Sequence, residues 1–69
     1  MNKNFPQKGI LSTVRGNTAT VIIPLIGFET GAAESCIPLD PEMEGRECVV
    51  AFMNGDMNQP VIMGVILDG

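Results

Sequence analysis

Apolar and polar positions alternate with a period of two along most of this chain, and breaks containing glycine or proline interrupt the alternation. The breaks recur about every eight to twelve residues, the spacing of a small all-β fold. Good helix formers never line up at three- and four-residue spacing over a useful length. The first predicted strand is "GILSTV", Gly9 to Val14, and Arg15-Gly16-Asn17 makes the tight turn after it. The second is "TATVIIPL", Thr18 to Leu25, rich in the β-branched residues that suit a pleated surface. Its alternation sets Ala19, Val21 and Ile23 on the inward face and Thr18, Thr20 and Ile22 on the other. Pro24 cannot donate to a ladder, so the strand ends there in an edge or a bend.

Ile26 to Ala33 reads as a glycine-bearing loop and Glu34 to Leu39 as a short third strand. Asp40 before Pro41 starts a turn or one helical turn, since proline suits a first helical position, and Gly45 ends it. The fourth strand, Arg46 to Met53, sets Cys48, Val50 and Phe52 on one face and Glu47, Val49, Ala51 and Met53 on the other. Asn54, Gly55 and Asp56 form the next turn, because Asn-Gly after an apolar run is a strong hairpin signal. Asp56 is placed to accept hydrogen bonds from backbone amides downstream. Pro60 sets the start of a fifth strand running to Leu67, and Gly64 supplies a bulge or tight coil within it. Residues 1–8 are expected to be a flexible arm and residues 9–69 a single domain.

Five short strands do best by closing into a barrel, which removes sheet edges that invite aggregation. Count and size fit a small five-stranded OB-like barrel, with an SH3-like barrel the alternative on pattern alone. Both faces of the last two strands carry apolar residues, yet a small barrel has one interior. Val49, Ala51, Met53, Ile62 and Ile66 are therefore candidates for an apolar outer face, the usual mark of a partner interface. The other possibility is that the loop Ile26–Ala33 or the N-terminal arm covers them.

Composition narrows the function. A 69-residue chain buries only about 60% of its unfolded surface, so added burial against a partner or a second copy is expected. At 45% hydrophobic the chain is too apolar for a disordered tail. Its net charge of −4, with Lys3, Lys8, Arg15 and Arg46 scattered, provides no basic footprint for phosphate backbones. There is no Trp or Tyr, and Phe5, Phe28 and Phe52 do not make a stacking platform beside cations. Histidine is absent, which excludes Ser–His and Cys–His nucleophiles. Glu42 and Glu44 lack the spacing of a calcium loop. Cys36 and Cys48 alone are a poor zinc set and read as small hydrophobes in strands. The glycines form no phosphate cradle. No catalytic residue, metal or cofactor is predicted. The N-terminus lacks the features of a signal peptide and no apolar run spans a bilayer, so a cytoplasmic protein with reduced thiols is expected, with incorporation into a secreted or phage-like particle the alternative.

"GRECVVAFMNGDMNQPVIMGVI", Gly45 to Ile66, resembles the end of the OB-type barrel in contractile-injection spike proteins: the valine–glycine repeat proteins of type VI secretion and related tail-spike and baseplate proteins of phages. Their pattern, G-x-E-V-x-V-x-F-x-x-G-D-x-x-x-P-x-I-x-G, is met at Gly45, Glu47, Val50, Phe52, Gly55, Asp56, Pro60, Ile62 and Gly64, with Cys48 where the pattern has valine. The match covers about a third of the chain. With "GILSTVRGNTATVIIPL" and "AAESCIPL" upstream, the whole looks similar to a small stand-alone domain of unknown function often encoded among type VI secretion genes. The tryptophan-rich middle segment and the β-helix needle of the spike proteins are missing, and Met57 stands where proline is usual. The resemblance thus implies a non-enzymatic adaptor acting through protein contacts with a spike, an effector or itself, rather than the spike. The competing reading is an OB-fold nucleic-acid-binding domain.

Overall fold

The computed structural model describes residues 5–67. Six strands form one sheet: β1 (Gln7–Arg15), β2 (Thr18–Ile23), β3 (Phe28–Glu29), β4 (Ala33–Ser35), β5 (Glu47–Phe52) and β6 (Pro60–Val65). The described residues contain no α-helix, only single 3₁₀ turns at Pro24–Ile26, Pro41–Met43 and Met53–Gly55. Around the sheet the order is β1-β5-β6-β4-β2, and β2 pairs back onto β1. The sheet therefore closes into a five-stranded barrel, with β3 a two-residue flap on β2. β4 and β6 run parallel while the other pairs are antiparallel. That one parallel pair, between the third and fifth barrel strands, gives the Greek-key connectivity of the OB type rather than an SH3-like arrangement.

Two strands, β1 and β6, each carry a defect that keeps their apolar residues inside. In β1 the register to β2 slips between Leu11 and Thr13, so Ser12 is the extra residue. Gln7, Gly9 and Leu11 face in before the slip and Val14 after it. In β6 the register to β5 slips between the Val49↔Gly64 and Val50↔Ile62 pairs, leaving Met63 unpaired. A bulge of this kind flips the inside–outside phase of all that follows. Ile62 is therefore inside and Val65 also packs on the core, while Ile66 is half-buried and lies outside that cluster.

The core consists of Leu11, Val14, Ala19, Val21, Ile23, Ala33, Cys48, Val50, Phe52 and Ile62, with Phe28 set edge-on to Phe52 at 6.2 Å between ring centroids. The inward faces predicted for the second and fourth strands are the observed ones. Ile62 is not: it was expected on the outer face and is 0% exposed, because alternation carried across the bulge places Ile62 and Ile66 together and the bulge separates them.

Every strand's boundaries differ somewhat from those predicted; β5 is one residue shorter at each end than expected, and β6 ends at Val65 rather than Leu67. β1 begins at Gln7, so Gln7 and Lys8 are strand, not arm; residues 1–4 of that arm lie outside the described residues, as do Lys3 and Asp68. β2 stops at Ile23, one residue before the proline. β4 is only Ala33–Ser35, preceded by the flap β3 inside what read as a loop.

Thr30 explains how two short strands close one long edge. β2 pairs β3 at Ile22 and Ile23 and pairs β4 at Thr18 and Ala19. Between these ladders the Thr30 N–H donates to the Val21 carbonyl at 2.8 Å, and the Thr30 hydroxyl accepts the Val21 N–H at 3.0 Å. The same hydroxyl donates to the Gly31 carbonyl at 2.7 Å. A buried side chain thus stands in for a missing ladder acceptor, and none of its hydrogen-bonding capacity is stranded.

Candidate functional site

The Asn54–Gln59 loop is the first place to look for chemistry, and its geometry is that of a scaffold. Asn54 and Gly55 both have positive φ, 56° and 70°, and the Asp56 N–H closes the turn onto the Met53 carbonyl at 2.9 Å. This is the type I′ pattern that Asn-Gly favours. It does not make a two-residue hairpin, because a second turn follows: the Gln59 N–H donates to the Asp56 carbonyl at 2.9 Å, and β6 starts only at Pro60. The Asp56 carboxylate accepts the Asn58 N–H at 2.9 Å and the Gln59 side-chain amide at 3.3 Å. Both oxygens of Asp56 are used in holding the loop; the backbone bond from Asn58 is the kind expected, and the side-chain bond from Gln59 was not foreseen.

The remaining acids are placed in a similar way. Asp40 caps the Pro41–Met43 turn, accepting the Glu42 N–H at 2.9 Å. The exposed Glu44 also holds its turn in place: its carboxylate accepts the Val14 N–H at 2.8 Å and ties that turn to β1 beyond the bulge. Among the described residues no three His, Cys, Asp or Glu side chains cluster as a metal site would need.

The two thiols have different fates. Cys48 is buried in the barrel, where loss of solvation pushes its pKa up to about 11 against the lowering effect of a hydrogen bond from the Gly9 backbone. It behaves as a small hydrophobe. Cys36 is exposed, lies just past β4 rather than in a strand, and is not bonded to Cys48.

What the surface offers is apolar. Val49 lies on the outside of β5 between Lys8 of β1 and Gly64 of β6, and Ala51 lies opposite Val61. Val49, Ala51 and Val61 are half-buried, while Met53 is 48% and Met63 52% exposed. Four of the five residues predicted as an interface therefore do reach the outside, but Ile66 sits apart from this patch, beside Gly45, Arg46 and Glu47 at a cleft of about 410 Å³. Sequence reasoning missed Met63, which faces out because its neighbour Ile62 faces in. It also missed a groove of about 480 Å³ where Lys8, Gly9 and Ile10 of β1 meet Pro24, Leu25 and Glu47. Only an exposed proline-turn residue after an apolar strand, Leu25, hinted at it.

Cations are sparse on this surface. Lys8 pairs with Glu47 at 3.9 Å, and both side chains are more than half exposed. Such a pair contributes little to stability. Phe52 is inside and Phe28 packs against it, which leaves Phe5 as the exposed ring.

These residues define a class: a closed five-stranded OB-type barrel with carboxylates at its turns and an apolar patch on the outside of β5 and β6. Within that class the chain belongs to the domain family of unknown function DUF6484, whose model matches residues 7–66. No curated protein and no solved structure shows significant similarity to the chain. No helix among the described residues is long and apolar enough to cross a membrane.

Proposed function

We propose that this barrel is a non-enzymatic adaptor module that works through protein–protein contacts in a contractile injection apparatus, either a type VI secretion system or a phage-like particle. The observation that carries the contact part is the outward apolar patch of Val49, Ala51, Val61 and Met63, continued by Met53. A small barrel that spends these residues on its outside lowers its own stability margin, and burial against a partner restores it. The apparatus part is supported by the sequence resemblance of Gly45 to Ile66 to spike-protein barrels, and by nothing in the geometry. The carboxylates of Asp40, Glu44 and Asp56 hold turns, that of Glu47 pairs with Lys8, and one thiol is sealed in the core. An adaptor role fits that arrangement better than catalysis, and the single exposed ring and sparse cations give a nucleic-acid role little support.

The experiment is a pull-down of purified spike and effector proteins by the wild-type chain and by the double variant Val49→Glu, Met63→Glu, with light scattering to detect self-association. Capture lost in the double variant while its melting temperature holds is the expected result. A chain that stays monomeric at high concentration and captures none of them overturns the reading. Sheath, tube or spike genes beside its gene would support the assignment to the apparatus.

A further inference from the structure

The geometry points to a second recognition element on this barrel: the edge of β1 at Lys8 accepts an extended segment of a partner protein, seating an aliphatic side chain in the groove beside Leu25. The inference rests on the reading that the barrel works through protein contacts, and it names the mode and chemistry of one such contact.

Among the described residues the edge is open because of Pro24. β1 pairs β5 from Gln7 to Ile10, but pairs β2 only from Ile10 to Arg15. Leu11 turns its backbone toward the β5 side, donating to Arg46 and accepting from Gly45. Backbone groups alternate sides along a strand, so Lys8 and Ile10 turn theirs toward β2. Val21 bonds away from β1, to Thr30, so Ile22 is the residue turned toward Ile10. The same register carried two residues further would set Pro24 against Lys8. Proline has no N–H to give, and β2 ends before it. The chain instead turns outward through Pro24–Ile26, leaving the groove of about 480 Å³ between that turn and β1. An added strand supplies backbone hydrogen bonds at such an edge, while a neighbouring pocket supplies selectivity.

The surroundings define the occupant. Ile10 and Ile22 face each other across β1 and β2, and Leu25, 76% exposed, stands over the groove, so the anchor is aliphatic. The cross-strand row through them ends in Glu29 on β3 and Glu47 on β5. Two carboxylates therefore flank the site against the single ammonium of Lys8, and the whole chain carries −4, which favours a segment with a cation near its anchor. A second copy fits poorly: two-fold pairing of this edge about Lys8 sets lysine opposite lysine, and like charges directly opposite destabilise a pair.

The test uses the full chain, labelled with ¹⁵N, and the blocked peptide acetyl-Lys-Thr-Leu-Thr-Lys-amide at up to millimolar concentration. Amide shifts at Lys8, Ile10 and Leu25 are expected. Exchanging both peptide lysines for glutamates should weaken binding, and N-methylating one alternate set of its backbone amides should weaken it about tenfold while the other set does not. Leu25→Asp, at an exposed turn position, should weaken it about tenfold with the fold retained by circular dichroism. Absence of shifts, shifts that avoid Lys8 and Leu25, or equal effects of the two methylated sets would overturn the proposal. So would a protein partner whose footprint covers Val49 and Met63 but not the groove; that result would leave the adaptor reading standing.

Discussion

Gly9 and Gly64 occupy neighbouring strands of the same barrel wall, on either side of β5, yet they are there for opposite reasons. A Cβ at Gly9 would collide with the Val21 side chain and come within 3.0 Å of the Ile22 carbonyl oxygen. A Cβ at Gly64 would meet nothing within 4 Å. Gly9 faces in, where β1 crosses β2 closely and no volume is left over. Gly64 faces out, beside Val49 and next to the bulge at Met63. From the sequence Gly64 is the residue that a tight coil requires, and Gly9 is merely the first residue of a strand. The bulge is where it was expected, but its glycine is not sterically demanded. The difference shows that a glycine's meaning depends on which face of the sheet it occupies.

The sharpest way to test this division between inside and outside is at adjacent residues of β6. Ile62→Ala should cost about 2–5 kcal/mol, while Met63→Ala should stay within about 0.5 kcal/mol, read from urea midpoints at unchanged slope. Comparable losses at the two sites would mean that β6 does not set Ile62 inside and Met63 outside. The two glycines come next. Gly9→Ala should cost about 1–3 kcal/mol by overpacking, and Gly64→Ala should be neutral within about 0.5 kcal/mol.

Thr30→Val keeps the volume but leaves the Val21 N–H without its acceptor, for an expected loss of about 1–3 kcal/mol. Thr30→Ser, which retains the hydroxyl, should recover most of it. Amide hydrogen exchange at Val21 should accelerate in the valine variant only. At the rim of the barrel, Asp56→Ala removes the acceptor for Asn58 and Gln59 and should cost about 1 kcal/mol by thermal unfolding.

The last prediction vanishes at neutral pH. Burial raises the Cys48 pKa from 9.0 to about 11, so the folded state favours the neutral thiol. That contribution is fully present below pH 9, shrinks as pH rises through the interval, and is lost once pH passes about 11. Cys48→Ala should flatten this alkaline slope while Cys36→Ala leaves it unchanged. A thiol reagent at pH 8 should label exposed Cys36 rapidly and Cys48 only on unfolding.

Much of the barrel was legible because its signals are local. Ala19, Val21 and Ile23 on β2, and Cys48, Val50 and Phe52 on β5, alternate without interruption, so a period of two assigns their faces. The turns at Gly16, at Asp40-Pro41 and at Asn54-Gly55 follow from backbone preferences that each residue carries with it. Ile62 was misplaced because a bulge is a property of two paired strands, invisible when either is read alone. Gln7 and Lys8 were assigned to an arm because they acquire their strand character from pairing with Val50 and Val49 of β5 rather than from their own composition.

The sequence by itself determined that this chain is all-β, with few cations, without histidine, and too apolar on its last two strands for one interior. Those are matters of composition and period. Only the tertiary structure decided which β6 residue enters the core, that a threonine hydroxyl completes the β2 ladder, and that Pro24 leaves an open edge at Lys8. Each of these depends on register between segments distant in sequence, where one extra residue moves a side chain from water to core, and no single segment encodes its own register.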